Sequence, residues 1–557
     1  MTAVRDPWLY AALLLALVLR VVGLGHGLPF VYNPDEVNIM ARSLSVARDL
    51  NPHYFLYPSF FFYFIFAVMG GLYILGRGVG WYGNLGEFEA RFFQDPTDFY
   101  VAGRLVGVLA ALATIVLTYH LANRHFGRVV ARAASVFLAV AYFHVRDAHY
   151  LKHDVTVGFL VVLALVVFDR TMERGTRGTY VASGIAMGLA FATHYYTIFL
   201  APTLALCHWV SSGFRKLGNL GVAAVVSTVT FFLLSPFVLL SLGEALSHMK
   251  ANRRVVMDRS LDSGALFLPS LPAYVKFLAE QGLGYLLLLL VVVGWILMAK
   301  RGARYLTLWG TFPLFFMGLL SYTFFAGRYL NVIAPSLVVA GSLTIGAIYD
   351  RWGKTAAMAV AVLACAQPFY NAVQVDRLFR GEDTRTLARQ WIVGNVPDQS
   401  AIALQSYSVP LPQSETSIKL ALGENGALDE LERKGKYAHM AEVAESTRPV
   451  FDLLFLGRGD EKNRIYTDYR TVIDDELASF DQRGVSYVVI RQPPDTPPPE
   501  VAEYIEKVRK KGRLLQQFSP FPDDGVAYFP YLDNEDWAAT RALSNKGPLV
   551  EIWLLED

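Results

Sequence analysis

Five stretches of this chain gather acids, bases and aromatic rings at spacings that could do chemistry. The first is Asn33-Pro34-Asp35-Glu36. Pro34 disfavours helix before it, so Asp35 and Glu36 fall at a turn or at the start of a following helix. A carboxylate there can take a proton from a hydroxyl, hold a metal ion, or simply complement a helix N-terminus. The second is Arg146-Asp147-Ala148-His149-Tyr150-Leu151-Lys152-His153-Asp154. His149 and His153 stand four residues apart, one face of a helix and a spacing a metal could use. No HExxH-type helix accompanies them, and contact of Lys152 or His153 with phosphate or sugar is the other use. Asp154 either positions an acceptor or a cation, or caps the next helix.

The third is Arg328-Tyr329, at the start of an apolar run. A guanidinium offers a planar fork of donors to phosphate oxygens, and equally snorkels at a membrane surface. The fourth is His194-Tyr195-Tyr196, whose rings either stack on a sugar or anchor the chain at an interface. The fifth is the 243–281 loop with Glu244, His248, Lys250, Arg253, Arg254 and Arg259, suited to a lipid phosphate or to anionic headgroups. Walker A, strand–GxGxxG–helix and GxSxG patterns do not occur, so nucleotide hydrolysis and serine-hydrolase chemistry have no support.

The elements that must position these residues are apolar. Of 557 residues, 54% are hydrophobic and 18% charged, against about a quarter charged in soluble domains. The net charge of +2 argues against a nucleic-acid or other polyanion partner. That total hides an asymmetry. Residues 376–557 hold 31 acids and 22 bases, so 1–375 is basic and the remainder acidic. This is the pattern of a membrane part, 1–375, joined to a water-facing part, 376–557. Cys207 and Cys365 lie in apolar runs and imply neither disulfide framework nor zinc site.

Apolar runs near 8–25, 58–75, 100–121, 129–145, 155–169, 179–193, 196–211, 218–241, 283–299, 304–325, 329–349 and 354–373 read as helices of near-spanning length. The first has no cleavage site after it and reads as an uncleaved membrane helix. Basic loops at Arg124/Arg128/Arg132, Arg170/Arg174/Arg177, Arg215/Lys216, Lys300/Arg301/Arg304 and Arg351/Lys354 belong inside. Parity then makes 58–75 interfacial or re-entrant within a long first outer loop, leaving about eleven crossings. Asp35, Glu36, the 149–154 stretch, His194, the 243–281 loop and Arg328 all come to the outer side. Beyond Asn371 the pattern changes. Helical stretches at Thr384–Asn395 and Glu500–Lys511 alternate with strand-like runs at 401–404, 453–456, 487–490 and 552–555, and Pro493–Pro499 reads as a loop. The fold class is a mainly α polytopic membrane protein with a small C-terminal α/β soluble domain.

The order of motifs resembles the GT-C superfamily of integral membrane glycosyltransferases. It is closest to the branch of protein O-mannosyltransferases and the lipid A aminoarabinose transferase. The match runs from Pro34-Asp35-Glu36 through Tyr57-Pro58, Gly103-Arg104-Leu105, Asn123 to Gly127, Tyr150 to Asp154 and Ala190 to Tyr195, and ends at Arg328-Tyr329-Leu330 before Pro335. The resemblance implies a polyprenyl-phosphate sugar donor, a lipid, glycan or protein acceptor, and inversion at the anomeric carbon. It implies Asp35 as catalytic carboxylate, with Glu36 and Asp154 as further acids. Arg328, with Lys152 and Arg254, would hold the donor phosphate; His153, His194, Tyr195, Tyr57 and Tyr329 would touch substrate. The family often has lysine at the positions of His194 and Tyr57. The expected place is the cell membrane, with the site and the C-terminal domain outside, among membrane lipids. No cofactor is required on this reading. A rival within the superfamily is a metal-dependent oligosaccharide transferase, in which Asp35, Asp154 and His248 hold Mg or Mn. A lipid-linked sugar flippase, or an anchored binding protein whose α/β domain does the work, are the non-enzyme rivals.

Overall fold

The structure, a computed structural model, describes residues 6–261, 268, 270–323, 325–405, 407–418, 448–457, 467–492, 498–522 and 543–556, with the side chains of 254–261 outside the description. The chain divides into two compact units. One comprises residues 1–24, 33–74 and 99–376; the other comprises 25–32, 75–98 and 377–557.

The first unit is helical. It opens with α1 (Pro7–Val21), α2 (Pro34–Asp49) and most of α3 (Phe60–Gly78); α4 (Leu85–Gln94) belongs to the second unit. It resumes with α5 (Thr97–Phe126), α6 (Arg128–Val140), α7 (Tyr142–Asp147), α8 (Asp154–Arg174), α9 (Arg177–Phe191), α10 (Leu200–Ser212) and α11 (Leu217–Leu234). Then come α12 (Phe237–Leu240), α13 (Leu242–Leu261), α14 (Leu271–Phe277), α15 (Tyr285–Lys300), α16 (Ala303–Leu320) and α17 (Ala334–Arg380), the last broken at Gly353 (φ 83°). Helix lies on every apolar run expected from the sequence. Among the described residues, five helices (α3, α5, α8, α11 and α17) are long and apolar enough to cross a membrane unaided. The 58–75 run, expected to be interfacial or re-entrant, forms α3 and is one of the five.

Helix α8 is the core of this unit: 78% of its apolar window is buried, against 11% for α11, whose outward face suits lipid. Two close approaches fix the packing. On α9, Gly184 and Gly188 sit four apart, and a Cβ on either would lie 2.6 Å from a backbone oxygen of α11, at Ala223 and Ser227. That is the small-xxx-small route to helix contact where lipid supplies no hydrophobic drive. On α8, a Cβ at Gly158 would lie 2.8 Å from the backbone oxygen of Asn331, so the short 3-10 turn Gly327–Val332 can lie against the helix.

In the second unit, α18 (Thr384–Asn395) leads into six strands: β1 (Ala401–Gln405), β2 (Asp452–Gly457), β3 (Thr467–Asp468), β4 (Val485–Arg491), β5 (Gly512–Phe518) and β6 (Val550–Leu555). Their order is β3-β2-β1-β4-β6-β5, with β3, β2, β1 and β4 parallel and β6 antiparallel to both neighbours. Burial follows the two-residue strand period. Ile402 and Leu404 face a core with Ala388 and Ile392 of α18; Ala403 faces the other core, with Tyr504 and Val508 of the Pro499–Lys511 helix. That helix begins at Pro499, which fits proline's preference for the first helical position. The rest of the expected Pro493–Pro499 loop, up to residue 497, lies outside the described residues. Strand β5 (Gly-Arg-Leu-Leu-Gln-Gln-Phe) was not expected; it is an edge strand with polar residues and a register shift between Leu514 and Gln516.

Candidate functional site

Helix α2 starts as its sequence requires. Pro34 takes the first position, and the Asn33 side chain caps by accepting the Asp35 N–H at 3.0 Å. Asp35 and Glu36 therefore lie in the first helical turn, where the macrodipole favours negative charge. Their environments are opposite. The Asp35 side chain is 45% exposed, with Oδ2 3.1 Å from Lys152 Nζ and 3.7 Å from Arg328 Nη1. Glu36 is fully buried. Arg104 of α5 donates to it through Nε and Nη2 at 2.8 and 2.9 Å, and the Leu151 N–H donates to Oε1 at 2.8 Å.

That geometry corrects the sequence reading of Glu36. A bidentate ion pair plus a backbone donor uses both oxygens and excludes solvent, so Glu36 has no surface for a substrate. It ties α2, α5 and the 148–153 segment together, holding Asp35 and Lys152, each one residue away, on either side of one buried carboxylate. Arg104 was missed as a partner, although an arginine inside an apolar helix signals a costly charge that must be paired. Its Nη1 also donates to Leu24 O at 2.6 Å.

Arg328 sits on the 3-10 turn Gly327–Val332, which a second buried layer holds. Asn331 Nδ2 donates to Arg328 O at 2.8 Å and to Asp147 Oδ2 at 2.6 Å, and Arg146 Nε donates to Asp147 Oδ1 at 2.7 Å. Arg146 and Asp147 thus support the turn. His149 lies away from His153 in function: its ring nitrogens lie 2.9 Å from the carbonyls of Val145 and Val22, and burial pushes its pKa down to about 4. The two histidines do not share a helical face, because Ala148–His153 is not helical.

Beside the charged group lies a cluster of rings. His153 stands 4.4 Å from Tyr57 and 4.9 Å from His194, centroid to centroid, and Tyr57 stands 5.2 Å from His194. His194 stacks on Tyr196 at 3.6 Å, and Tyr196 meets Tyr329 edge-on at 6.2 Å. The rings are uncharged near neutral pH. Burial, then the nearby Arg328 and Lys152, pushes His153 down to about 3; burial likewise holds His194 well below, and Tyr57 well above, the usual range. Tyr195 is not part of this cluster. Its hydroxyl donates to Phe55 O at 3.3 Å and its ring packs near Phe191 and Phe231, whereas Tyr196, of the same His194-Tyr195-Tyr196 group, stacks on His194. Asp154 is buried in the first turn of α8, close enough to Tyr196 and Tyr329 to raise their pKa values through its charge.

Among the described residues no three His, Cys, Asp or Glu side chains converge. Asp35 already faces two cations, and His248 Nδ1 accepts the Phe55 N–H at 3.3 Å. The Arg254 side chain lies outside the described residues. An apolar groove of about 510 Å³ runs between α15, α16 and α17, with Trp295, Gly310, Leu314 and Met317 along it. Ile333, which follows the Gly327–Val332 turn in sequence, and Leu337 line one side.

Comparison with known proteins agrees with this architecture. The family model for dolichyl-phosphate-mannose-protein mannosyltransferases matches residues 97–240, which includes α5, α8 and the segment carrying Lys152 and Asp154. No curated protein matches the chain in sequence. The chain is similar in structure to ArnT from Cupriavidus metallidurans bound to undecaprenyl phosphate, at TM-score 0.52 and 14% identity over 98% of this chain and 97% of that one. The apo state of the same protein gives TM-score 0.54 at the same identity and coverage. The Archaeoglobus fulgidus oligosaccharyltransferase in complex with zinc and sulfate gives 0.51 at 15% identity, covering 87% of this chain and 68% of that one. The chain thus shares its fold with ArnT over nearly its whole length, and the mannosyltransferase family model falls on its central helices.

Proposed function

We propose that the protein transfers a sugar from a polyprenyl-phosphate carrier to an acceptor on the outer face of the membrane, with inversion at the anomeric carbon. The observation that carries this reading is the half-exposed Asp35 carboxylate held 3.1 Å from the Lys152 ammonium and 3.7 Å from the Arg328 guanidinium. A phosphodiester is an anion, and it competes with Asp35 for the same two cations. Donor binding therefore neutralises the phosphate and at the same time releases Asp35 from its counter-ions, raising its basicity when it is needed. Asp35 takes the proton of the acceptor hydroxyl as the acceptor oxygen bonds to the anomeric carbon. The bond from that carbon to the phosphate oxygen breaks, and its electron pair leaves with the polyprenyl phosphate, held by Arg328 and Lys152.

The other parts fit this division of labour. The groove from Ile333 and Leu337 along α16 suits a prenyl chain whose phosphate lies at Arg328. ArnT, a structure with this fold, is bound to undecaprenyl phosphate. The rings of Tyr57, His153 and His194 are uncharged and lie next to the cations, so the positive charge for the phosphate comes from Lys152 and Arg328 rather than from the His194 and Tyr57 positions.

The test separates binding from chemistry. Asp35→Asn should retain undecaprenyl phosphate binding and lose transfer by about 10²- to 10⁴-fold, the range of general-base catalysis. Arg328→Ala should weaken binding of the same lipid. Full transfer in Asp35→Asn, or unchanged lipid affinity in Arg328→Ala, would overturn the assignment. Transfer should also be unaffected by a chelator; loss of activity restored by Mg or Mn would favour the metal-dependent route instead.

A further inference from the structure

The segment between α3 and α5 forms a cleft of about 500 Å³, lined by Trp81, Glu87, Arg91, Gln94 and Asp98 among others, all within residues 81–98 of the second unit. Its walls are built rather than loose. Asn84 caps the start of α4: its Oδ1 accepts the Glu87 N–H at 2.9 Å, and the Glu87 carboxylate reaches back to accept the Gly83 N–H at 2.6 Å. Gly76 permits the ring of Tyr82 to lie where a Cβ would stand, 2.1 Å from its nearest atom. Tyr82 in turn packs edge-on against Phe88 at 4.9 Å, and Arg91 pairs with Asp98 at 3.3 Å.

Trp81, which lines this cleft, is 65% exposed. Neither the Trp81 indole N–H nor the Gln94 amide has a protein partner among the described residues. An exposed indole face, an amide, a guanidinium and two carboxylates in one small cleft match the two surfaces of a sugar ring. The apolar C–H face lies on an aromatic plane, and the hydroxyls meet planar donors and acceptors. The volume is within the range of small-ligand clefts, about 300–1,000 Å³. Leu75, Val79 and Leu85 nearby are 63–69% exposed, an apolar rim that suits the headgroup layer, where a membrane-linked glycan carries its first sugars.

We infer that this cleft binds a sugar ring of the acceptor, with Trp81 as stacking platform and Gln94 as hydroxyl partner. The inference rests on the glycosyltransferase reading for the word acceptor, but sugar binding itself is measured without turnover. The experiment is saturation-transfer NMR on the full chain in nanodiscs, using methyl α-D-mannopyranoside, methyl β-D-glucopyranoside and methyl β-D-galactopyranoside as probes. At least one should receive saturation from wild type. That signal should disappear in Trp81→Ala, fall in Gln94→Ala, and persist in Arg328→Ala and Asp35→Asn. Signal retained in Trp81→Ala, signal lost in Arg328→Ala, or no signal from any probe would overturn the inference. Failure of the enzymatic reading shows separately, as unchanged transfer in Asp35→Asn.

Discussion

Helix α8 carries a buried-carboxylate network near one end and the candidate site at the other, and the two ends use the same residue types differently. Near its C-terminus Asp169 is 1% exposed and faces Arg124 Nε at 2.7 Å, Arg304 Nη2 at 2.9 Å and His125 Nε2 at 3.0 Å. These partners come from α5 and α16, so the carboxylate joins three helices and is enclosed by them. Before its N-terminus, Lys152 and Arg328 converge on Asp35, which is 45% exposed. Burial and saturation mark a strut. Convergence of two cations on a carboxylate that water can reach marks a place where another anion could enter. Glu36, saturated and one residue from Asp35, shows that this difference is set by a single step along a helix.

The contrast can be broken by substitution, and the largest effect falls on Asp35. Asp35→Asn should cost about 10²- to 10⁴-fold in transfer, while the thermal midpoint moves little, since the carboxylate is half in water. Asp169→Asn should do the reverse. Arg124 and Arg304 are about 40% exposed and can turn to water, so losing the buried acceptor should cost about 1–3 kcal/mol, and the denaturation midpoint should fall while the surviving folded fraction keeps its turnover number. Equal effects of both variants on turnover would erase the distinction.

A smaller effect sharpens the positioning argument. Gly158→Ala puts a methyl 2.8 Å from Asn331 O, and the turn bearing Arg328 must shift. Weaker binding of undecaprenyl phosphate, by about tenfold, with a stability loss of about 1–3 kcal/mol is expected. Unchanged lipid affinity would mean that the turn tolerates displacement.

The smallest effect is a slope with pH. The rings of His153 and His194 are held neutral, the first down to about pH 3. In the unfolded chain each takes a proton below about pH 6.5. Between these values the unfolded state binds more protons, so stability is full above about pH 6.5 and declines as pH falls below it. Thermal midpoints measured from pH 8 to pH 5 should show this decline, and it should become shallower in His153→Asn. A flat profile in wild type would show the rings to be open to water.

Much of this was legible in the sequence because membrane burial punishes stray charge. The apolar runs form helices at each expected segment, and the types and spacing of Asp35, Lys152, His153, Asp154, His194 and Arg328 already mark them as candidates. What could not be read was partnership. Asp35 and Glu36 are alike in sequence, and only the third dimension shows that Arg104, 68 residues on, claims Glu36. Tyr195 and Tyr196 are likewise adjacent, and the rotation of a 3-10 turn decides which ring faces His194. Asp169 went unremarked because its partners were read as separate inner-loop cations. Strand β5 was missed because an edge strand with one solvated face lacks the apolar alternation that identifies β4.

The central claim is that Asp35 and its two cations perform sugar transfer from a lipid phosphate. Its most direct test is mass spectrometry of the products formed when the full chain, in nanodiscs, receives a panel of undecaprenyl-phosphate sugars with candidate lipid, glycan and peptide acceptors. Wild type should yield a glycosylated acceptor and free undecaprenyl phosphate from one donor, and Asp35→Asn should yield neither. The same product in equal amount from both proteins would contradict the account.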